Sequence, residues 1–250
     1  MESLRKPYQG VTNIVRFNWP FYLVSFDLVL FLIIYSFFTT YQVYVLLGAI
    51  IFVLPILISL LVSYYVYDLS GLYKLDWLSK EDNNKKILNI NAGFDETSTL
   101  LRRRYPSSGL IVFDFYDPLK HTEPSIKRAR NAYPPYKGTI SITTSKIPLE
   151  KESVYTIYVI FAAHEIRNDE ERITFFKELY RVLKPKGQVI VTEHLRDLPN
   201  FMAYTVGFFH FLSLSSWQTT FNESGFNVLK KEKFTPFINI FTLQKNGTTF

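Results

Sequence analysis

Between Leu28 and Tyr67 the chain has no Asp, Glu, Lys or Arg, and this uncharged run constrains the fold more than any other stretch. A helix needs roughly twenty apolar residues to cross a bilayer, so a run of about forty is two spans. The polar break "TTYQ", Thr39 to Gln42, predicts helices over 19–38 and 41–66. A signal peptide would have a shorter apolar core followed by a cleavage site. The expected unit is therefore an N-terminal anchor, residues 1–67, that holds to the lipid bilayer.

The flanks orient this hairpin. Arg5, Lys6 and Arg16 precede it, its tip carries no Lys or Arg, and Lys74, Lys80, Lys85 and Lys86 follow it. The positive-inside rule then expects a multi-pass protein of the inner, cytoplasmic membrane, with both termini and the following domain in the cytoplasm. Trp19, Tyr22, Tyr41, Tyr64, Tyr65 and Tyr67 suit interfacial belts. Asp27 lies about two turns into the first span, where it reads either as a functional carboxylate or as a group near the cytoplasmic headgroups, and Pro55 is expected to kink the second. Gly48 and Ala49 form no GxxxG pattern, so no helix-pairing motif is read here.

Beyond the anchor, residues 68–84 read as a polar connector with one amphipathic turn, and residues 85–250 as an α/β domain. "KILNINA" is a strand, "DETSTLLRRRYP" a helix with Asp95 and Glu96 in its first turn, and "GLIVFDFYD" a second strand. "PSIKRARNAYP" is a helix, "TISITTS" and "VYTIYVIFAAHEI" are strands three and four, and "DEERITFFKELYRVLKP" is an amphipathic helix. Strand five, "GQVIVTEH", follows the helix-stopping Lys184 to Gly187. The helix "SLSSWQTTFNESGF" and the strands "NVLKKEKF" and "INIFTLQKN" close the chain. Such alternation implies a mostly parallel sheet covered on both faces, with the last pair as an antiparallel edge.

The 250 residues include no cysteine, which excludes disulfides, a thiolate zinc site and a cysteine nucleophile; no metal is expected. The net charge of +6 comes with no aromatic-plus-basic RNA-reading motif. Attraction to anionic headgroups explains it as well as nucleic acid would, and nucleic acid is not expected as a partner.

"ILNINAGFDE", "FDFYD", "IPLEKESVYTIYVIFAAHEI" and above all "FFKELYRVLKPKGQVIVTEH" occur in this order. The set resembles the successive motifs of class I S-adenosylmethionine-dependent methyltransferases, in the methyltransferase type 11 (UbiE-like) group. The resemblance runs from Lys85 to the C-terminus. It implies a Rossmann-like seven-stranded sheet, S-adenosylmethionine as cofactor and transfer of its methyl group.

The resemblance also assigns residues. Asp114, ending strand two, stands where an acid binds the ribose hydroxyls, and Asp117 substitutes if the strand ends later. The first loop departs from the usual pattern: Asn89 replaces the acid before it, Asn91 and Asp95 replace two glycines, and Gly93 remains. Asn91 is a residue able to take the glycine's positive φ, and Asp95 or Glu96 can replace the lost acid as partner for the cofactor's ammonium. Thr143 and Thr144 stand near the adenine position, with ordinary strand formation as the bland alternative.

The acceptor side falls at the ends of strands four and five. His164 and Glu165 are adjacent, so on a continuing strand only one of them faces the site. "TEHLRD" crowds Glu193, His194, Arg196 and Asp197 together, and His194 is preferred over His164 as a general base. "NFMAYTVGFFHFLSLSSW" reads as a core helix, a membrane-surface helix or the lid of an apolar pocket, and its His210 as either a core histidine or a catalytic one. The expected function is methylation of a lipid-like or hydrophobic small molecule. An inactive methyltransferase-like binding module at the membrane is the alternative.

Overall fold

A computed structural model of the chain describes residues 5–80, 82–120 and 123–247; the ends of the chain, where the expected cytoplasmic termini fall, lie outside the described residues. The basic flank before the first apolar segment folds into α1, Gln9–Phe17, and the two segments expected as spans form α2, Trp19–Ser36, and α3, Gln42–Tyr64. Both are long and apolar enough to cross a membrane, with mean hydropathies of 1.7 and 3.1 over their most apolar windows. Only 11% and 6% of those windows are buried, whereas a core helix of this composition would be covered. The helix of α3 continues through Pro55.

A π turn, Tyr65–Leu69, carries α3 out of its apolar stretch. The connector that follows packs onto the sheet rather than trailing as a linker. Leu72, Leu75 and Leu78 are buried, and buried Asp82 accepts hydrogen bonds from the hydroxyls of Thr156 and Tyr158.

The α/β part runs β1 (Lys86–Asn91), α4 (Ser98–Arg104), β2 (Gly109–Asp114), α5 (Pro124–Ala132), β3 (Ile140–Ser141), β4 (Val154–Ile160), α6 (Asp169–Val182), β5 (Leu183–His194), α7 (Leu198–Tyr204), α8 (Leu214–Glu223), β6 (Phe226–Lys233) and β7 (Ile238–Lys245). The sheet order is β3-β2-β1-β4-β5-β7-β6. The first five strands are mutually parallel, and β7 lies antiparallel between β5 and β6. Strand order reverses between β1 and β4, which opens a crevice beyond their carboxyl ends.

Four local expectations are corrected. Strand three shrinks to two residues, so Thr143 and Thr144 fall beyond it in a turn closed by a bridge between Thr143 and Lys146. Strand four ends at Ile160, and Ala163–Glu165 is a 3-10 turn. Asp95 and Glu96 precede α4 rather than forming its first turn. The Lys184 to Gly187 stretch belongs to β5, at an irregularity in its pairing with β4. There a Cβ on Gly187 would sit 2.5 Å from the Tyr155 carbonyl, so the bulge requires glycine.

Apolar side chains fill both sheet faces. Phe175, Phe176 and Leu179 of α6 pack with Trp217 and Phe221 of α8 on one side, and Leu101 and Tyr105 with connector residues Leu75 and Leu78 on the other.

Candidate active site

Parallel pairing sets Asn91 beside Asp114 at the ends of β1 and β2, and the first loop is built from this pair outward. Asn91 is the last residue of its strand and does not adopt positive φ; Gly93 does, at +95°. The turn is held by the Asn91 Oδ1, which accepts from the Gly93 amide at 3.1 Å. Asn89, two residues earlier on the same face of the strand, donates to the hydroxyls of Thr97 and Ser98 at 2.9 and 2.8 Å. Asp95 Oδ1 accepts from the amides of Thr97 and Ser98, capping α4 from outside the helix.

Glu96 is consumed elsewhere. Its carboxylate accepts from Arg5 at 2.6 Å, from the Tyr73 hydroxyl at 2.8 Å and from Asn13 at 3.4 Å. Together with the edge-to-face stack of Phe17 on Phe94, these contacts lay α1 over the loop. Asp68 anchors the other end of α1 by accepting from the amides of Gly10 and Val11.

Three buried polar atoms around this loop find no partner among the described residues: Asn89 Oδ1, Asn91 Nδ2 and Asp95 Oδ2. Buried polar atoms are almost always bonded, so such a group marks the place of a polar ligand. An acceptor pair and a donor suit an ammonium and a carboxylate, the two ends of an amino acid. These groups suit the methionine moiety of S-adenosylmethionine, and of the two acids after the loop only Asp95 has a carboxylate oxygen without a partner among the described residues.

Asp114 is buried but not idle. Arg130 on α5 lies 2.5 Å from its Oδ2, stacks over the Tyr116 ring and reaches within 3.4 Å of the Gly93 carbonyl. The guanidinium thus takes up the carboxylate that the resemblance assigns to a ribose. The sequence disguised this role, since "KRARN" reads as a solvated basic face. Thr143 and Thr144 line an open hollow with Tyr116, Asp117, Asn168 and Glu171, and the Thr144 hydroxyl donates to Glu171 at 2.5 Å.

The histidines separate into two environments. His194 is 3% exposed and fully engaged. Asn200 uses its amide hydrogens on Asp197 and the Phe237 carbonyl, so its Oδ1 faces His194 Nδ1 at 3.0 Å and Nδ1 is the protonated nitrogen. Nε2 then accepts from the Tyr67 hydroxyl at 2.8 Å. Burial pushes this imidazole down to about 4. Its lone pair is spent on Tyr67, so it is not placed as an open general base.

His164 and His210 come together with Glu165 at the ends of β4 and of the 3-10 turn Thr205–His210. Glu193 Oε2 lies 2.7 Å from His164 Nδ1, and Glu165 Oε1 lies 3.3 Å from His164 Nε2. Burial works against charge on His164, but Glu193 and Glu165 outweigh it and raise the imidazole to about 10. Burial would raise Glu165, yet its bonds with His164 and His210 hold it far below the usual carboxylate range. Because the 3-10 turn replaces the expected strand, neighbouring His164 and Glu165 reach the same cluster.

Sheet order and crevice define the class: an α/β domain with a crevice at its switch point, the place where folds of this kind bind ligands. Comparison with known proteins narrows this. Residues 97–191 match the type 11 family described as "Methyltransferase domain". The ubiquinone/menaquinone biosynthesis C-methyltransferase UbiE of Geotalea daltonii is 30% identical over 125 residues, which are 48% of this chain and 49% of that protein; the chain thus spans about half the length of this curated relative. Among solved structures, a protein of Pyrococcus horikoshii superposes with a TM-score of 0.52 at 16% identity, covering 71% of this chain and 90% of that one. A SAM-dependent methyltransferase from Aquifex aeolicus has a TM-score of 0.48 at 16% identity, covering 76% and 97%. Over residues 97–191 the α/β part of this chain is thus similar to the methyltransferase domains of the type 11 group.

Proposed function

We propose that the chain is an S-adenosylmethionine-dependent methyltransferase, held at a membrane by its N-terminal hairpin, that methylates a hydrophobic or lipid-like acceptor. The observation that carries the cofactor is the trio of unpartnered buried atoms on Asn89, Asn91 and Asp95, within a methyltransferase sheet. When bound, the cofactor supplies an electrophilic methyl group on sulfur. The chain's part is to hold its amino-acid end at these atoms, its ribose at Asp114 and the acceptor in line beyond β4 and β5.

The membrane reading rests on exposed apolar surface. The hairpin exposes Phe21, Phe26, Phe31, Ile51 and Leu57, and α7 packs beside α3 with Phe201, Met202 and Val206 open on its surface and the following turn. Of the three readings of this segment, the membrane-surface one fits this exposure best. The hairpin and this turn would set the acceptor side of the crevice against the bilayer, where a lipid-like substrate is found.

One observation favours the inactive alternative: Arg130 occupies Asp114. Calorimetry of the detergent-solubilised chain with S-adenosylhomocysteine separates the two. Micromolar binding supports the enzyme, and no heat at millimolar ligand removes it. Comparing lipid extracts by mass with and without the protein then identifies the acceptor as a species heavier by one methylene.

A further inference from the structure

We propose that His164, Glu165 and His210 form a binding site for a divalent transition-metal ion, with zinc the best-suited occupant, backed by Glu193 and Glu123. One ligand atom from each of the three residues lies within 4.8 Å of the other two. Glu165 Oε1 is 3.3 Å from His164 Nε2 and 3.7 Å from His210 Nε2. Ligands about 2.0–2.2 Å from a tetrahedral ion are roughly 3.3–3.6 Å apart, so small rotations complete the geometry.

The second layer of contacts has the form such sites need. A ligating histidine usually gives its other ring N–H to a carboxylate, which fixes the tautomer and turns the lone pair toward the metal. Glu193, whose side chain is 1% exposed, does this for His164 at 2.7 Å, and Glu123 lies 2.7 Å from His210 Nδ1. Three carboxylates thus surround two imidazoles, and a dication compensates them better than a proton on one ring.

The ligands come from separate segments, each held in place. His164 and Glu165 are set by their 3-10 turn. His210 is fixed by Arg196, which donates to the carbonyls of Phe209 and Phe211 on either side. The group in the way is Arg167, whose guanidinium lies against Nδ1 of His210 and 3.2 Å from Nε2, and also donates to the His210 carbonyl. Its side chain is 41% exposed, so it can swing into solvent as an ion takes over its positive charge. Two histidines and one carboxylate suit zinc or ferrous iron rather than magnesium or calcium. His164 and His210 are partly exposed, leaving a coordination position for an acceptor oxygen. The site is argued from these side chains alone and does not depend on methyl transfer.

The test uses the full chain in detergent, freed of any histidine tag and stripped with chelator. Cobalt(II) is titrated as an optical probe and zinc is counted by mass spectrometry. The expected result is about one ion per chain, with visible cobalt bands of tetrahedral strength that zinc abolishes. His164→Ala with His210→Ala should remove the bands. Glu165→Gln should weaken binding at least tenfold, and Glu193→Gln by roughly 10–100-fold. Circular dichroism checks that the variants fold, and the isosteric Glu→Gln pair decides if the double alanine variant does not. Absence of stoichiometric binding overturns the site, as does equal affinity in the Glu165→Gln variant, which would mean an adventitious ion only. Binding of S-adenosylhomocysteine, measured in parallel, reports on the methyltransferase reading separately.

Discussion

The hydroxyl of Tyr67 donates to Nε2 of His194 at 2.8 Å, joining the turn that leaves the second apolar helix to the carboxyl end of β5. Both partners are largely shielded from water, and the second imidazole nitrogen is already committed to Asn200. Tyr67→Phe removes the donor and strands a buried acceptor, at a cost of about 1–3 kcal/mol. For a chain of this size that lowers the thermal midpoint by roughly 2–10 °C. Differential scanning of wild type and variant in the same detergent checks it, and an unchanged midpoint would show that the contact contributes nothing.

The same pair gives a pH dependence. Burial lowers His194 from its ordinary 6.5 to about 4, so the folded state disfavours the proton that the unfolded chain accepts. The stabilisation is complete above about pH 6.5 and is lost progressively as pH falls through 4, up to about 3 kcal/mol. His194→Asn keeps a donor toward Asn200 but cannot titrate. The difference in thermal midpoint between wild type and this variant should therefore narrow from pH 7 to pH 4; a constant difference contradicts the neutral imidazole.

The elements carried by long periodic runs were legible in the sequence: two apolar helices, the order of strands and the antiparallel edge. Asp114 also ends β2, where the resemblance set it, although the apolar pattern alone carried the strand on to Asp117. What was not legible depended on contacts distant in sequence. Arg130 reaches Asp114 from another element, and Glu96 is taken by Arg5 and Tyr73, so neither partner is visible from local spacing. His194 looked like a base because a strand-end histidine commonly is one, whereas its partners Tyr67 and Asn200 arrive from the connector and α7. His164 and Glu165 were set on alternate faces by assuming a strand, and a single 3-10 turn brought them together.

The ribose contact proposed for Asp114 competes with Arg130, whose guanidinium already pairs with that carboxylate. Arg130→Ala removes the competitor and the crowding at Gly93, where the guanidinium stands 2.9 Å from the position of a Cβ. Asp114 is buried, so removing its cation also costs stability, and a thermal scan of the variant accompanies the binding measurement. S-adenosylhomocysteine should bind several-fold tighter to Arg130→Ala, while Asp114→Asn should bind at least tenfold weaker. Calorimetry of both variants checks this, and weaker binding to Arg130→Ala would make the guanidinium a ligand contact instead.

The first loop allows a test of which residue does the glycine's work. Asn91 occupies the place of a family glycine, which suggests that Asn91→Gly would restore cofactor affinity. The geometry argues the opposite. Asn91 is in a strand without positive φ, and its Oδ1 holds the Gly93 amide. Glycine there loses that bond and loosens the strand, at about 1–2 kcal/mol. Gly93 carries the positive φ of +95°, so Gly93→Ala strains the backbone by about 1–2 kcal/mol and presses on Arg130 and Tyr116. Both variants are therefore expected to bind S-adenosylhomocysteine more weakly than wild type, with Gly93→Ala the weaker. A gain in affinity for Asn91→Gly would show that the loop needs glycine-like freedom at residue 91.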